Sequence, residues 1–193
     1  METKTETREY YAYNEVREWP MVDGWSVCPD DSHFRVSIHH EARIRPSVLL
    51  GSWAAVKAGV VVGSWAVIGS WAAVKAGAVV GSEAVIGPWA RVEAGAVVGS
   101  EAVIGPWARV EAGAVAGCGA AVCTWATVGS GAIIGSDAVI GYGAVVEDGA
   151  ALESGAVVED GAVVECGAVV EADAVIEAGA RVEADAVIEA GAG

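Results

Sequence analysis

From Ile44 onward an aliphatic residue returns every sixth position, through Leu50, Val56, Val62, Ile68 and Val74 to Ile188, and only Ala116 interrupts the column. Four residues after each comes a small side chain, nearly always Ala, from Ala54, Ala66 and Ala72 to Ala192, with Val48 and Val60 as variants. Six is not a multiple of the helical period, so a helix would smear this column around its circumference. Short strands joined by tight turns keep every sixth residue facing inward. The abundance of Val and a Gly in nearly every hexad oppose helix even in the Ala- and Glu-rich tail RVEADAVIEAGAG.

A longer period lies over the first. GSWAAVKAGAVVGSEAVI from Gly69 is followed by GPWARVEAGAVVGSEAVI from Gly87, and the next stretch, from Gly105, begins GPWARVEAGAVAG. Three hexads therefore make one eighteen-residue coil. IGPWAR and VGSEAV resemble the motif of the hexapeptide-repeat proteins: an aliphatic, then Gly, Ala, Glu or Asp, two variable positions, a small residue and one more. The resemblance runs from about Ile38 to Gly193. It implies an all-β fold, a single-stranded left-handed parallel β-helix of triangular section. Its handedness comes from the resemblance alone, because general crossover rules favour the right hand. About nine coils spaced ~4.8 Å apart make a rod of roughly 43 Å.

Residues 1–32 break the pattern. EYYAYNEVREWPMVDGWSVCPDDS is aromatic, irregular and holds Pro20 and Pro29. It reads as a cap over an otherwise open sheet edge, with the repeat occupying 33–193. The near-identity of successive coils points to recent internal duplication or deliberate idealisation.

Stacking turns any residue type that recurs every eighteen positions into a ladder. Trp53, Trp71, Trp89, Trp107 and Trp125 form one at the fourth place of the hexad, a turn position. If that turn needs positive φ, each Trp costs about 1–2 kcal/mol locally, offset by ring stacking. A structural zipper is the first reading of this corner, and a glycan or aromatic-ligand platform the second. Val61, Val79, Val97, Val115 and Ile133 line one outer face, and Val67, Val85, Val103 and Val139 a second. Two such stripes exceed the apolar surface a soluble monomer usually shows, so they predict self-association. The third face is charged, with Lys57 and Lys75 giving way to Glu93 and Glu111 beside Arg91 and Arg109.

Composition narrows the partners. The 193 residues carry 11 Lys and Arg against 26 Asp and Glu, a formal charge of -15, so nucleic acid and anionic membranes are repelled. Beyond Gly141, twelve acidic residues face only Arg181, which places -11 of that charge at one end. Stacked carboxylates repel, so they should titrate high or take up divalent cations, unless they form a simple solvated face. The 54% hydrophobic content includes a single Phe and is rich in Ala and Val, which fits a thin core. Ala112 to Ser136 is uncharged and long enough to span a bilayer, but its glycines and unbroken repeat favour solenoid. METKTETREYY has no apolar signal core. Cys28, Cys118, Cys123 and Cys166 lack the spacing of a disulfide framework, so they read as free thiols in a reducing cytoplasm.

Chemistry-bearing residues are few. The resemblance implies acyltransferases with a catalytic His between subunits, or a zinc hydratase of the γ-carbonic-anhydrase type with three His across an interface. Here the only histidines are His33, His39 and His40, all beside the cap, and no insertion walls a substrate pocket. Cys118 and Cys123 stand where the repeat degrades and read as small-residue substitutions. The sequence thus predicts a non-catalytic, self-associating scaffold with possible end-to-end contact, which the resemblance implies to be a homotrimer, that is not an enzyme and has no cofactor or metal. The alternatives are a trimeric acyltransferase or zinc hydratase with a His site at the first coil, and a surface- or glycan-binding module on the Trp ladder.

Overall fold

The computed structural model describes residues 36–45 and 47–192 in full, and 7–12, 15–22 and 25–27 as backbone strands. Strand β4 (Ser37–His39) opens the solenoid, followed by β5 (Arg43–Ile44) and β6 (Leu49–Leu50). From there two-residue strands recur at six-residue spacing as far as Val187–Ile188. They form three parallel faces of nine, nine and eight strands, in a left-handed solenoid of eight to nine turns. Register is the eighteen-residue period itself, as in Val80 against Val98 and Ile86 against Ile104.

The strands are short because each hexad spends two residues on the sheet and the rest turning a corner. Arg91 N–H donates to Ala108 O at 3.0 Å and Glu93 N–H to Val110 O at 2.8 Å, tying one coil to the next. At the corner Ala90 N–H donates to Gly87 O at 3.2 Å, closing a four-residue turn whose third residue, Trp89, has φ +62°. A type II turn requires positive φ there, which Gly adopts without strain. All twenty-five such positions from Ser47 to Gly191 lie between φ +59° and +73°, and twelve of them are not Gly.

The interior is the twin column read from the sequence. Ile68, Ile86, Ile104 and the alanines between them are fully buried. A triangular tube this narrow has room for one aliphatic and one methyl per side of each coil, which is why Ala and not Leu fills the second place. Burial loosens at both ends of the column, where Ile44 and Ile188 are partly buried and Val182 is 6% exposed.

The segment 1–32 is more regular than its composition predicts. Strands β1 (Thr7–Ala12), β2 (Glu15–Val22) and β3 (Trp25–Val27) form an antiparallel run that continues the first face. β3 pairs with β4, Trp25 opposite His39, so the edge of that face is covered by strand rather than by loop. Tyr, Trp and Val favour a pleated surface despite the proline in β2. His33, Cys28 and Pro29 lie outside the described residues.

Candidate functional site

The first corner of the solenoid brings His39 and His40 together. Ala42 N–H donates to His39 O at 2.9 Å, so His39, His40, Glu41 and Ala42 form a turn at the end of β4. The two imidazole rings stand 4.4 Å apart. The Glu41 carboxylate lies beside both, its oxygens 4.0 Å from His39 Nδ1 and 3.9 Å from His40 Nε2. Glu41 N–H also donates to His39 Nδ1 at 3.3 Å. That bond leaves Nδ1 as an acceptor and puts the proton of neutral His39 on Nε2. His40 is the more open of the two, with 48% of its side chain exposed against 21% for His39. Two bases sharing one carboxylate can take up and pass on a proton.

The Trp ladder is present as read. Successive centroids from Trp53 to Trp125 are 4.9, 4.8, 4.9 and 5.1 Å apart, with rings within 7° of parallel. Each ring therefore covers much of its neighbour's face and turns its edge outward, which is poor geometry for a sugar platform. Beside the ladder runs a groove of about 440 Å³ floored by Ala73, Lys75, Arg91, Arg109 and Thr127. The sequence reading did not pair these cations with the indoles, although Arg91 and Arg109 follow their Trp by two residues. Trp65, at a different corner, is 67% exposed and outside the stack.

Val61, Val79, Val97, Val115 and Ile133 project from the second face, and Val67, Val85, Val103 and Val139 from the third. Val103 and Ile133 are the most open of them, at 44% and 53%. A shallow apolar groove of about 540 Å³ follows Leu49, Val67 and Val85, floored by glycines.

The acidic end corrects an expectation. Ser130 N–H and Tyr142 N–H donate to Asp148 Oδ1 and Asp160 Oδ1 at 2.7 and 2.6 Å. Ala172, Ala178, Ala184 and Ala190 donate theirs to Glu153, Glu159, Glu165 and Glu171 at 3.0–3.2 Å. In every case the donor is the second residue of a turn, an amide with no ladder partner, so these carboxylates satisfy the backbone. The Glu165 carboxyl is held below its usual range, opposite to a rise by repulsion, chiefly by its hydrogen bond from Arg181 and then by that from Ala184. No group of three His, Cys, Asp or Glu placed to hold a metal ion occurs among the described residues. Cys118, Cys123 and Cys166 are free thiols. Cys166 donates to Glu147 Oε2 at 3.2 Å, and this carboxylate raises the thiol's pKa. Burial, then Asp160, raises that of Cys123. Among the described residues, no helix is long and apolar enough to cross a membrane.

The bacterial transferase hexapeptide model (six repeats) matches residues 77–112. No curated protein sequence matches the chain. Among solved structures, a UDP-N-acetylglucosamine acyltransferase from Francisella novicida is similar at 20% identity and TM-score 0.70, covering 76% of this chain and 60% of that one. LpxA from Acinetobacter baumannii is similar at 12% identity and TM-score 0.55, over 77% of this chain and 67% of that one. A further UDP-N-acetylglucosamine acyltransferase has 15% identity and TM-score 0.55, over 70% and 68%. The chain spans about 60% of the length of the Francisella enzyme, and the likeness is one of fold.

These neighbours overturn the expectation of a non-catalytic scaffold that is not an enzyme. The Francisella chain and the further UDP-N-acetylglucosamine acyltransferase that share this solenoid are acyltransferases, the reading kept as an alternative. The sequence reading had relied on absences, namely no insertion and no histidine in later coils, which say nothing of what a second subunit brings to the first corner.

Proposed function

Taking the chain as a left-handed hexapeptide-repeat solenoid, we propose that it transfers an acyl group from a thioester to a hydroxyl or amine, with the His39, His40 and Glu41 turn as its proton-handling site. The observation that carries this reading is the pair of imidazoles 4.4 Å apart around one carboxylate, at a corner of a fold shared with acyltransferases. The acceptor O–H or N–H gives its proton to an imidazole as its oxygen or nitrogen bonds to the thioester carbon. The C–S bond then breaks, and the thiolate leaves with the proton. In this reading His40, the more exposed, meets the acceptor, and Glu41 stabilises the imidazolium formed.

Neither the groove along the Trp corner nor that on the third face is lined by a histidine. The reading therefore includes a homotrimer, in which the outward Val61 to Ile133 and Val67 to Val139 stripes are covered by neighbours and a partner's face walls the histidine corner. Exposed apolar stripes on two of three faces support this arrangement.

The test is thioester consumption, followed by absorbance with acetyl-CoA as donor and UDP-N-acetylglucosamine and a panel of amino sugars as acceptors. His40→Ala should slow transfer by about 100-fold or more, the usual worth of a positioned base, while far-UV circular dichroism stays unchanged. A His39→Ala, His40→Ala double variant that turns over like the parent refutes the assignment, and so does a parent without activity across the panel.

A further inference from the structure

The tryptophan column stops at Trp125, but the turn that carries it does not. The next residues in register are Gly143, Gly161 and Gly179, at φ +64°, +67° and +70°, against +62° to +64° for the five tryptophans. A Cβ built on any of the three would meet no heavy atom within 4 Å. The backbone at Gly143 thus repeats the geometry that holds an indole one coil earlier, without a side chain. Trp107 stacks on one side of Trp125, and no other ring does so among the described residues. Trp125 is 54% exposed, where the other four indoles of the stack range from 37% to 44%. Trp107 occupies one side of the Trp125 ring, and Gly143 is the next residue in register on the other side.

The stack itself defines what fits that face: a flat ring, parallel to the indoles and about one coil below Trp125. Charge selects the sign. Arg91 and Arg109 stand beside the earlier rings, whereas Asp160 closes the region below, its Oδ1 held by Tyr142 N–H at 2.6 Å, next in sequence to Gly143. Glu159 and Glu177 continue the acidic surface there, and the π-face of an indole attracts cations. We propose that the face of Trp125 over Gly143 binds a planar, positively charged aromatic ligand, which enters as a sixth ring of the stack.

Proflavine, a flat aromatic cation, is the probe, titrated into the whole protein and followed by indole fluorescence quenching and the shift of the dye's own absorption. Gly143→Leu covers the Trp125 face with a non-aromatic side chain in a turn that already accepts tryptophan at the same φ. It should weaken binding by about tenfold or more, while Gly179→Leu, two coils further, leaves it unchanged. Asp160→Asn keeps an acceptor for Tyr142 N–H and should weaken proflavine severalfold. Should Gly143→Leu fail to fold, Trp125→Ala serves instead, because it leaves a terminal ring beside Arg109 and must also lose the dye. Proflavine binding that survives both Gly143→Leu and Trp125→Ala overturns the proposal, as does equal affinity for pyrene-1-sulfonate, a flat aromatic anion.

Discussion

Replacing Trp89 by Gly and, separately, by Ala distinguishes what its side chain contributes from what its backbone costs. Trp89 stacks on Trp71 at 4.8 Å and on Trp107 at 4.9 Å, and the residue is 41% exposed. Losing two aromatic contacts at about 0.5–1.5 kcal/mol each removes about 1–3 kcal/mol. Uncovering roughly 100 Å² of apolar indole surface adds about 2.5 kcal/mol. Both variants share that loss. They differ at φ +62°, where Ala keeps a left-handed strain of about 1–2 kcal/mol that Gly escapes. Against this, Gly gives up about 0.5–1 kcal/mol in chain entropy. Trp89→Gly should therefore be the more stable of the two by about 0.5–1 kcal/mol, reversing the order found in an ordinary strand. Urea unfolding followed by far-UV circular dichroism reads the difference as a midpoint shift of about 0.2–1 M. A stack of coils can unfold in segments, but both variants alter the same coil and the same two neighbours, so their difference survives. An Ala variant equal to or more stable than the Gly variant refutes the left-handed turn. Two variants as stable as the parent refute the stabilising role of the stack.

Three further outcomes follow from the same geometry. Ile104→Ala, in a fully buried central coil, should cost about 2–5 kcal/mol in urea, whereas Ile188→Ala in the loosely packed last coil should cost less than half as much. Arg181 holds the Glu165 carboxyl low, so the stability from this pair is present above the unfolded carboxylate range and is lost as pH falls through the folded value. The stability gap between the parent and Arg181→Met should close on acidification, and a gap independent of pH contradicts the pairing. Glu147→Gln should speed alkylation of Cys166 by iodoacetamide severalfold at mildly alkaline pH, with Cys118 unchanged as internal reference by peptide mass spectrometry, because it removes the carboxylate that opposes the thiolate.

The solenoid was legible because its two periods are geometric. A column of period six excludes helix, and a period of eighteen sets strand register, so Val80 against Val98 could be written down before any coordinates. The positive φ at Trp53 to Trp125 was foreseeable from the place of Gly in neighbouring hexads. The cap strands were obscured by Pro20, by the lack of a repeating partner and by the broken alternation of EVREWPMV. The carboxylate bonds to turn amides were missed because the acidic residues were counted as charge. Their signal was positional: Glu153, Glu159, Glu165 and Glu171 each stand nineteen residues before the amide they accept. The histidine corner was visible in the sequence, but a short motif does not show that the Glu41 carboxylate lies within 4.0 Å of both imidazoles.

The measurement that bears most directly on this reading of the site is the mass in solution, by light scattering on a sizing column at two protein concentrations. The proposed active site needs a neighbour's face, so the expected mass is three times the 19.4 kDa of one chain, the same at both concentrations. A mass of 19.4 kDa at both would contradict it, leaving the histidine corner unwalled and the aliphatic faces uncovered.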